Sequence, residues 1–201
     1  MNLKGKTIIF LGSSVTEGGA AHNYSMCEFV QTELGCTVEK WAVSGTTLAD
    51  INSGSYVSRL NRNIENQEQC DCFVCQLSTN DASNDISLGT IGDRQDSFDV
   101  KTTLGAIEYI VATVKEKWDC PVLFYTGTYM ENKKYEKMVE LLFELKKKWD
   151  FGIIDLWNDK EMRNVSEDDY KRFMNDPVHP TRCGYEEWWG PKFVEYLKNE
   201  I

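Results

Sequence analysis

"TIIFLGSSVTEG", residues 7 to 18, is the stretch on which the reading of the fold turns. Its first half is a near-continuous apolar run that ends in Gly12, and its second half switches at once to serines and a helix-compatible pattern. An apolar run without alternation describes a strand covered on both faces, as in a parallel sheet. Four more such runs follow: "VEKWAVS" (38 to 44), "CFVCQLS" (72 to 78), "PVLFYTG" (121 to 127) and "FGIIDLW" (151 to 157). The segments between them carry helical period. Leu104, Ile107, Val111, Val114 and Trp118 recur at three- and four-residue steps, as do Tyr135, Met138, Leu142, Leu145 and Trp149, with Asn132 as a cap for the second set. A last helix from about Gly184 carries Trp188, Trp189, Phe193 and Leu197, its regular part starting near Pro191. Strand and helix alternate without a repeat, a low-complexity stretch or a linker. The expectation is a single α/β domain over residues 1–201: a three-layer α/β/α sandwich with a doubly wound, flavodoxin-like parallel sheet of about five strands.

Bulk composition narrows the partners. At 201 residues the chain can bury about 70% of its unfolded surface. Its net charge of −10, with no basic run outside "KKK" at 146 to 148, lacks the electrostatic footprint of a nucleic-acid binder. The N-terminus has no signal-peptide cleavage pattern and no stretch reaches membrane-spanning length, so a soluble, cytoplasmic protein with no membrane partner is expected. Seven cysteines at irregular spacing fit reduced thiols better than a disulfide framework. The cluster "CDCFVC" (Cys70, Cys72, Cys75) invites a metal reading, but a strand there would point Cys72 and Cys75 to opposite faces.

In a doubly wound sheet ligands bind at the carboxyl ends of the strands. After the first run, Ser13 and Ser14 would stand at that edge beside the free N–H groups of a helix. A serine so placed serves as a nucleophile, as an N-cap, or as part of a turn that cradles a phosphate. After the second run comes "AVSGTT", where Gly45 permits a positive φ or brings an N–H close to the same pocket. After the third comes "LSTND", where Asn80 offers an amide donor or simply forms a turn. After the fifth comes "MNDPVHPTRCGY" (174 to 185), in which Asp176 precedes His179 by three residues. Such a pair suits a general base and its orienting carboxylate. The only other histidine, His22, is a rival base with no nearby carboxylate except Glu17. The polar stretch from 82 to 99 is expected to overhang the site as a substrate-facing loop. Trp188 and Trp189 either stack on a sugar or pack in the core.

A serine, a glycine, an asparagine and an Asp/His pair, following strands one, two, three and five, resemble the blocks of the SGNH hydrolases, the GDSL-like esterases and lipases. The resemblance spans nearly the whole chain, from "FLGSSVTEG" through "AVSGTT" and "LSTND" to "DPVHPT". It implies Ser14 as nucleophile, the Ser14 and Gly45 amides with the Asn80 side chain as oxyanion hole, His179 as base and Asp176 as its partner. It implies a small-molecule ester substrate, with an acetyl or short-chain acyl group on a carbohydrate or similar polar alcohol, and no cofactor or metal. Lipase and thioesterase activities stay open within the family. The chain departs from the pattern at Ser13 (usually Asp), Ser78 (usually Gly), and Lys40 and Ala42 (often Asn and Gly). Two readings from other classes remain: a non-catalytic flavodoxin-like module binding phosphate or nucleotide at "LGSSVTEG", and a catalytically dead relative kept for interaction.

Overall fold

The computed structural model describes residues 3–200. In chain order its elements are β1 (Thr7–Gly12), α1 (Ser14–Glu17), α2 (Met26–Leu34), β2 (Thr37–Ala42), α3 (Tyr56–Asn63), β3 (Cys72–Gln76), α4 (Thr79–Ser83) and α5 (Thr103–Trp118). There follow β4 (Val122–Tyr125), α6 (Lys133–Lys148), β5 (Gly152–Ile154), α7 (Lys160–Arg163), α8 (Glu167–Phe173), α9 (Arg182–Gly184) and α10 (Gly190–Glu200). Several helices start where a side-chain oxygen takes up an orphan backbone N–H: Ser25 and Glu28 form a capping box on α2, Thr102 caps α5, and Asn132 caps α6 as its position suggested.

The five strands form one parallel sheet in the order β2-β1-β3-β4-β5. Side chains alternate between its two faces. Ile9 and Leu11 of β1, Phe73 and Cys75 of β3, and Val122 and Phe124 of β4 join α3, α5 and α6 in one core. Ile8 and Phe10, Cys72 and Val74, and Leu123 and Tyr125 join α2 and α10 in the other. This is the expected three-layer sandwich. Cys72 and Cys75 fall in different cores, so the thiols of "CDCFVC" do not converge; burial pushes both well above the usual thiol range. β3 is buried along its whole length, whereas β2 lies at the edge of the sheet and is only half-buried, a difference its apolar run did not reveal.

The last helix enters at Arg182, close to the expected Gly184, and its regular part, α10, starts at Gly190 beside Pro191 as expected; between them α9 runs through a π-helical turn, Tyr185–Trp189. There the Gly190 amide donates to Tyr185 O, five residues back. The widened turn breaks the regular ladder just before Pro191, which has no N–H to offer it. One expectation is corrected, the course of the polar stretch after Asn80. Ala82 and Ser83 close α4, and residues 84–102 run back across α5 and α6 instead of overhanging the strand ends. Leu88, Ile91, Phe98 and Val100 pack on the α5–α6 core. The strap is anchored on Glu108, a carboxylate only 2% exposed, which accepts from Trp149 Nε1 (2.9 Å), Gly92 N (3.2 Å) and Lys148 Nζ. Apolar residues spaced irregularly through a polar segment drive this docking, and they carry no periodic signature.

Removing one member of a buried charge pair strands the other in a low dielectric. Glu108→Ala is therefore expected to destabilise the chain by about 3–5 kcal/mol in urea unfolding, with proteolytic nicking appearing first between residues 84 and 102. A loss below about 1 kcal/mol would show that the strap does not depend on this anchor.

Candidate active site

Parallel strands all end at one edge; three of the blocks singled out above follow β1, β2 and β3 there, and the fourth follows α8, the second of two short helices after β5. Ser14 opens α1, a helix of a single turn that ends at Gly18. Beneath it Gln76, the last residue of β3 and buried, holds the turn: its Oε1 accepts from Ser13 N (2.8 Å) and Thr16 Oγ1 (2.8 Å). Because Thr16 donates to Gln76, its oxygen receives the buried Tyr125 hydroxyl at 2.6 Å. Gly12 leaves room for this network: a Cβ there would stand 1.7 Å from Thr16 Oγ1.

The 174–180 loop is equally constrained. Met174 and Pro180 form an antiparallel bridge, and the Asn175 amide donates to His179 O at 2.8 Å. Asp176 Oδ1 accepts from Val178 N (2.8 Å) and His179 N (2.9 Å), so the aspartate does cap its own turn. Its Oδ2 also lies 2.8 Å from His179 Nδ1. A carboxylate only accepts, so Nδ1 carries a proton, and in the neutral ring Nε2 is the free lone pair. Ser14 Oγ stands 2.7 Å from that Nε2 and donates to it. The structure thus brings Ser14, His179 and Asp176 into one hydrogen-bonded line, with Ser14 and the His179 ring both partly exposed. Tyr185 OH, donating to Val15 O at 2.7 Å, braces the same two chain ends.

Gly45 sits in the turn after β2 with φ +75°, in the left-handed region, where a bulkier residue would be strained. That turn is tied to α1: Glu17 accepts from both the Ser44 amide (2.9 Å) and the Ser44 hydroxyl. Asn80 Nδ2 donates to Thr46 O at 2.9 Å, which orients the side chain and leaves its second amide hydrogen available. His22, by contrast, is exposed at φ +54° beyond Ala21, and its suggested partner Glu17 is held by Ser44. Trp189 is fully buried, edge-on to Tyr125 and Tyr185, whereas Trp188 is half-buried against Phe173.

Two charged residues that the sequence reading passed over shape the site. Arg59 on α3 is 6% exposed and donates to Gly12 O (2.5 Å), Thr46 Oγ1 (2.9 Å) and Gly54 O. It bridges the Ser14 turn and the Gly45 turn, and burial lowers its pKa. Asp81, buried, accepts from Leu48 N (2.7 Å), Ala49 N (3.1 Å) and Thr103 Oγ1 (3.0 Å); its burial outweighs these donors and raises its pKa. The only sequence signals were the first of two arginines in an amphipathic helix and the last letter of "STND".

No family model matches the chain, and no curated protein does. Solved structures do. One, from Lactobacillus plantarum, is 17% identical with a TM-score of 0.79, covering 98% of this chain and 99% of that one. A protein from Desulfitobacterium hafniense, assigned to the G-D-S-L family of lipolytic proteins, is 14% identical at TM-score 0.72, covering 95% and 99%. A family two carbohydrate esterase from Clostridium thermocellum, in complex with cellohexaose, is 14% identical at TM-score 0.66, covering 97% of this chain and 64% of that chain. The fold is that of the GDSL-like hydrolases. Within that fold the four departures found in the sequence have structural roles. Ser13 is buried on Gln76, Ser78 caps α4, Lys40 donates to Glu17 O and Asn23 O, and Ala42 pairs with Gly12 across the strands.

Burial pushes the Asp176 carboxyl up, but the Val178 and His179 donors overcome it and hold the group below the usual carboxylate range. A lowered folded value adds stability above the ordinary value, near pH 4, that is lost as the pH falls through the folded one. The thermal midpoint of the wild-type chain is therefore expected to drop more steeply below about pH 4 than that of Asp176→Asn. Parallel curves for the two chains would contradict it.

Proposed function

We propose that this chain is a serine esterase that removes acetyl or other short-chain acyl groups from carbohydrates or similar polar alcohols through an acyl-enzyme. The observation that carries this reading is the 2.7 Å contact from Ser14 Oγ to His179 Nε2, with Asp176 on the opposite ring nitrogen. A phosphate cradle at the Gly12 turn has no use for that histidine.

Each residue then has one task. His179 takes the Ser14 proton as Oγ attacks the ester carbonyl, and Asp176 keeps the imidazole in the required tautomer and stabilises its protonated form. The Ser14 and Gly45 amides and the free Asn80 hydrogen receive the charge that develops on the carbonyl oxygen. Arg59, donating to Gly12 O, holds two of these turns in register and places a positive charge behind them. Protonated His179 next gives its proton to the departing alkoxide, and the acyl group leaves Ser14 when His179 activates a water in the same way. The carbohydrate esterase among the structures of this fold supports a polar alcohol. The polarity of residues 84–102 does not, because that strap lies over α5 and α6.

A chain-length series of chromogenic esters tests the reading. Hydrolysis is expected to peak at acetyl and to fall to background in Ser14→Ala; undiminished turnover by Ser14→Ala would remove the nucleophile from the scheme. Asn80→Ala is expected to lower kcat about 10²- to 10³-fold with a smaller effect on KM, the usual cost of one oxyanion donor. A kcat within twofold of wild type would exclude Asn80 from that role.

A further inference from the structure

A cavity of about 760 Å³ abuts the loop that carries Asp176 and His179, with Pro177 in its wall. Its remaining walls come from the segment after β4, from α7 and α8, and from the π-helical turn. Three of the lining side chains are aromatic. Tyr129 is 47% exposed and is held by the Arg163 guanidinium, 4.3 Å from its ring centre, and by Trp157, whose ring centre is 5.0 Å away. Arg163 is itself fixed, its Nε donating to Trp157 O at 2.8 Å. Trp188 stacks on Phe173 at 5.4 Å and meets Tyr170 edge-on. Rings already locked by their neighbours lose little freedom when a ligand covers them.

Charged groups share the same walls: Arg163, Glu131 and Glu167 all line the cavity. A long acyl chain would strip water from these groups and give nothing in return. A pyranose ring satisfies both halves of the lining, because its C–H faces lie on aromatic rings while its hydroxyls pair with carboxylate and guanidinium. The chemistry of deacylation sets which half of an ester reaches this cavity. His179 must protonate the leaving oxygen, so the alcohol lies against the His179 loop, while the carbonyl oxygen faces Gly45 and Asn80. Pro177, two residues from His179, is within about 7 Å of it along the backbone. Burial, and then the Asp176 charge, raise the Tyr170 pKa, which sets that cavity ring in the field of the same carboxylate.

We propose that this cavity is the subsite for the sugar ring of the leaving alcohol, so that the substrate is an O-acylated glycoside. The assignment rests on the esterase reading of Ser14, His179 and Asp176. Two measurements on the full chain separate the two claims: calorimetric binding of unacylated cellobiose, and the ratio of kcat/KM for acetylated cellobiose to kcat/KM for p-nitrophenyl acetate. Tyr129→Ala is expected to weaken cellobiose binding about tenfold and to lower the ratio by a similar factor, mainly through KM. An unchanged thermal midpoint checks that the fold survives, as the exposure of Tyr129 implies. Ser14-dependent turnover with cellobiose binding and the ratio indifferent to Tyr129 overturns the sugar subsite alone. Tyr129-dependent cellobiose binding in a chain that hydrolyses no ester overturns the esterase reading and, with it, the role of the sugar as leaving group.

Discussion

The hydrogen bond from Ser14 Oγ to His179 Nε2 joins residues 165 apart in sequence, and buried polar side chains hold the serine end where it is. One end sits on a helix of four residues, too short to hold itself. It is held from below by Gln76 and Thr16, and from the side by Arg59 on Gly12 O. The other end sits on a loop closed by the Met174–Pro180 bridge and by the turn that Asp176 makes with its own following amides. Tyr185 then bolts the helix after that loop to Val15, one residue beyond the serine. A 2.7 Å contact between two irregular segments persists because neither can move alone.

The segment from Thr46 to Arg59 is held by two buried charges of opposite sign that do not contact each other. Asp81 grips the Leu48 and Ala49 amides, and Arg59 grips Thr46 and Gly54. Both are held by hydrogen bonds rather than by an ion pair, and burial moves the pKa of each toward its neutral form, for Asp81 against the pull of its donors. Such groups are costly to bury. What they secure is the position of Gly45 and of the Thr46 carbonyl on which Asn80 is oriented.

The strand order divides the carboxyl edge into two territories. β1 and β3 meet where the direction of winding reverses, and the Ser14 turn and Asn80 stand there. The β4 and β5 end carries the aromatic cavity with Tyr129, Tyr170 and Trp188. The 174–180 loop lies between them and contributes to both, with His179 facing Ser14 and Pro177 lining the cavity. Under the proposed reaction, charge development and leaving-group binding are handled on opposite sides of one histidine. The long strap of residues 84–102 packs against α5 and α6, and its Val100 O accepts from Asp50 N of the Thr46–Arg59 segment.

Much of this was legible in the residues alone. Continuous apolar runs separated by helical period specify a parallel sheet covered on both faces, because side-chain period is a local property of strand and helix. Ser14, Gly45 and Asn80 were legible for a related reason, since each lies in the segment just after a strand and the sheet topology sends these to one edge. Asp176 and His179 were legible as a local pair and through the family resemblance, while their place beside Ser14, beyond α7 and α8, was set by the tertiary structure. Gln76, Arg59, Asp81 and the Tyr185–Val15 brace were not legible, because a buried polar side chain is defined by a partner 33 to 170 residues away and by the exclusion of water, neither of which leaves a local pattern. The course of residues 84–102 was decided in the same way. Their polarity suggested a solvated flap, and only the docking of a few apolar side chains on a folded helix pair, with a carboxylate buried beneath them, turned the segment away from the site.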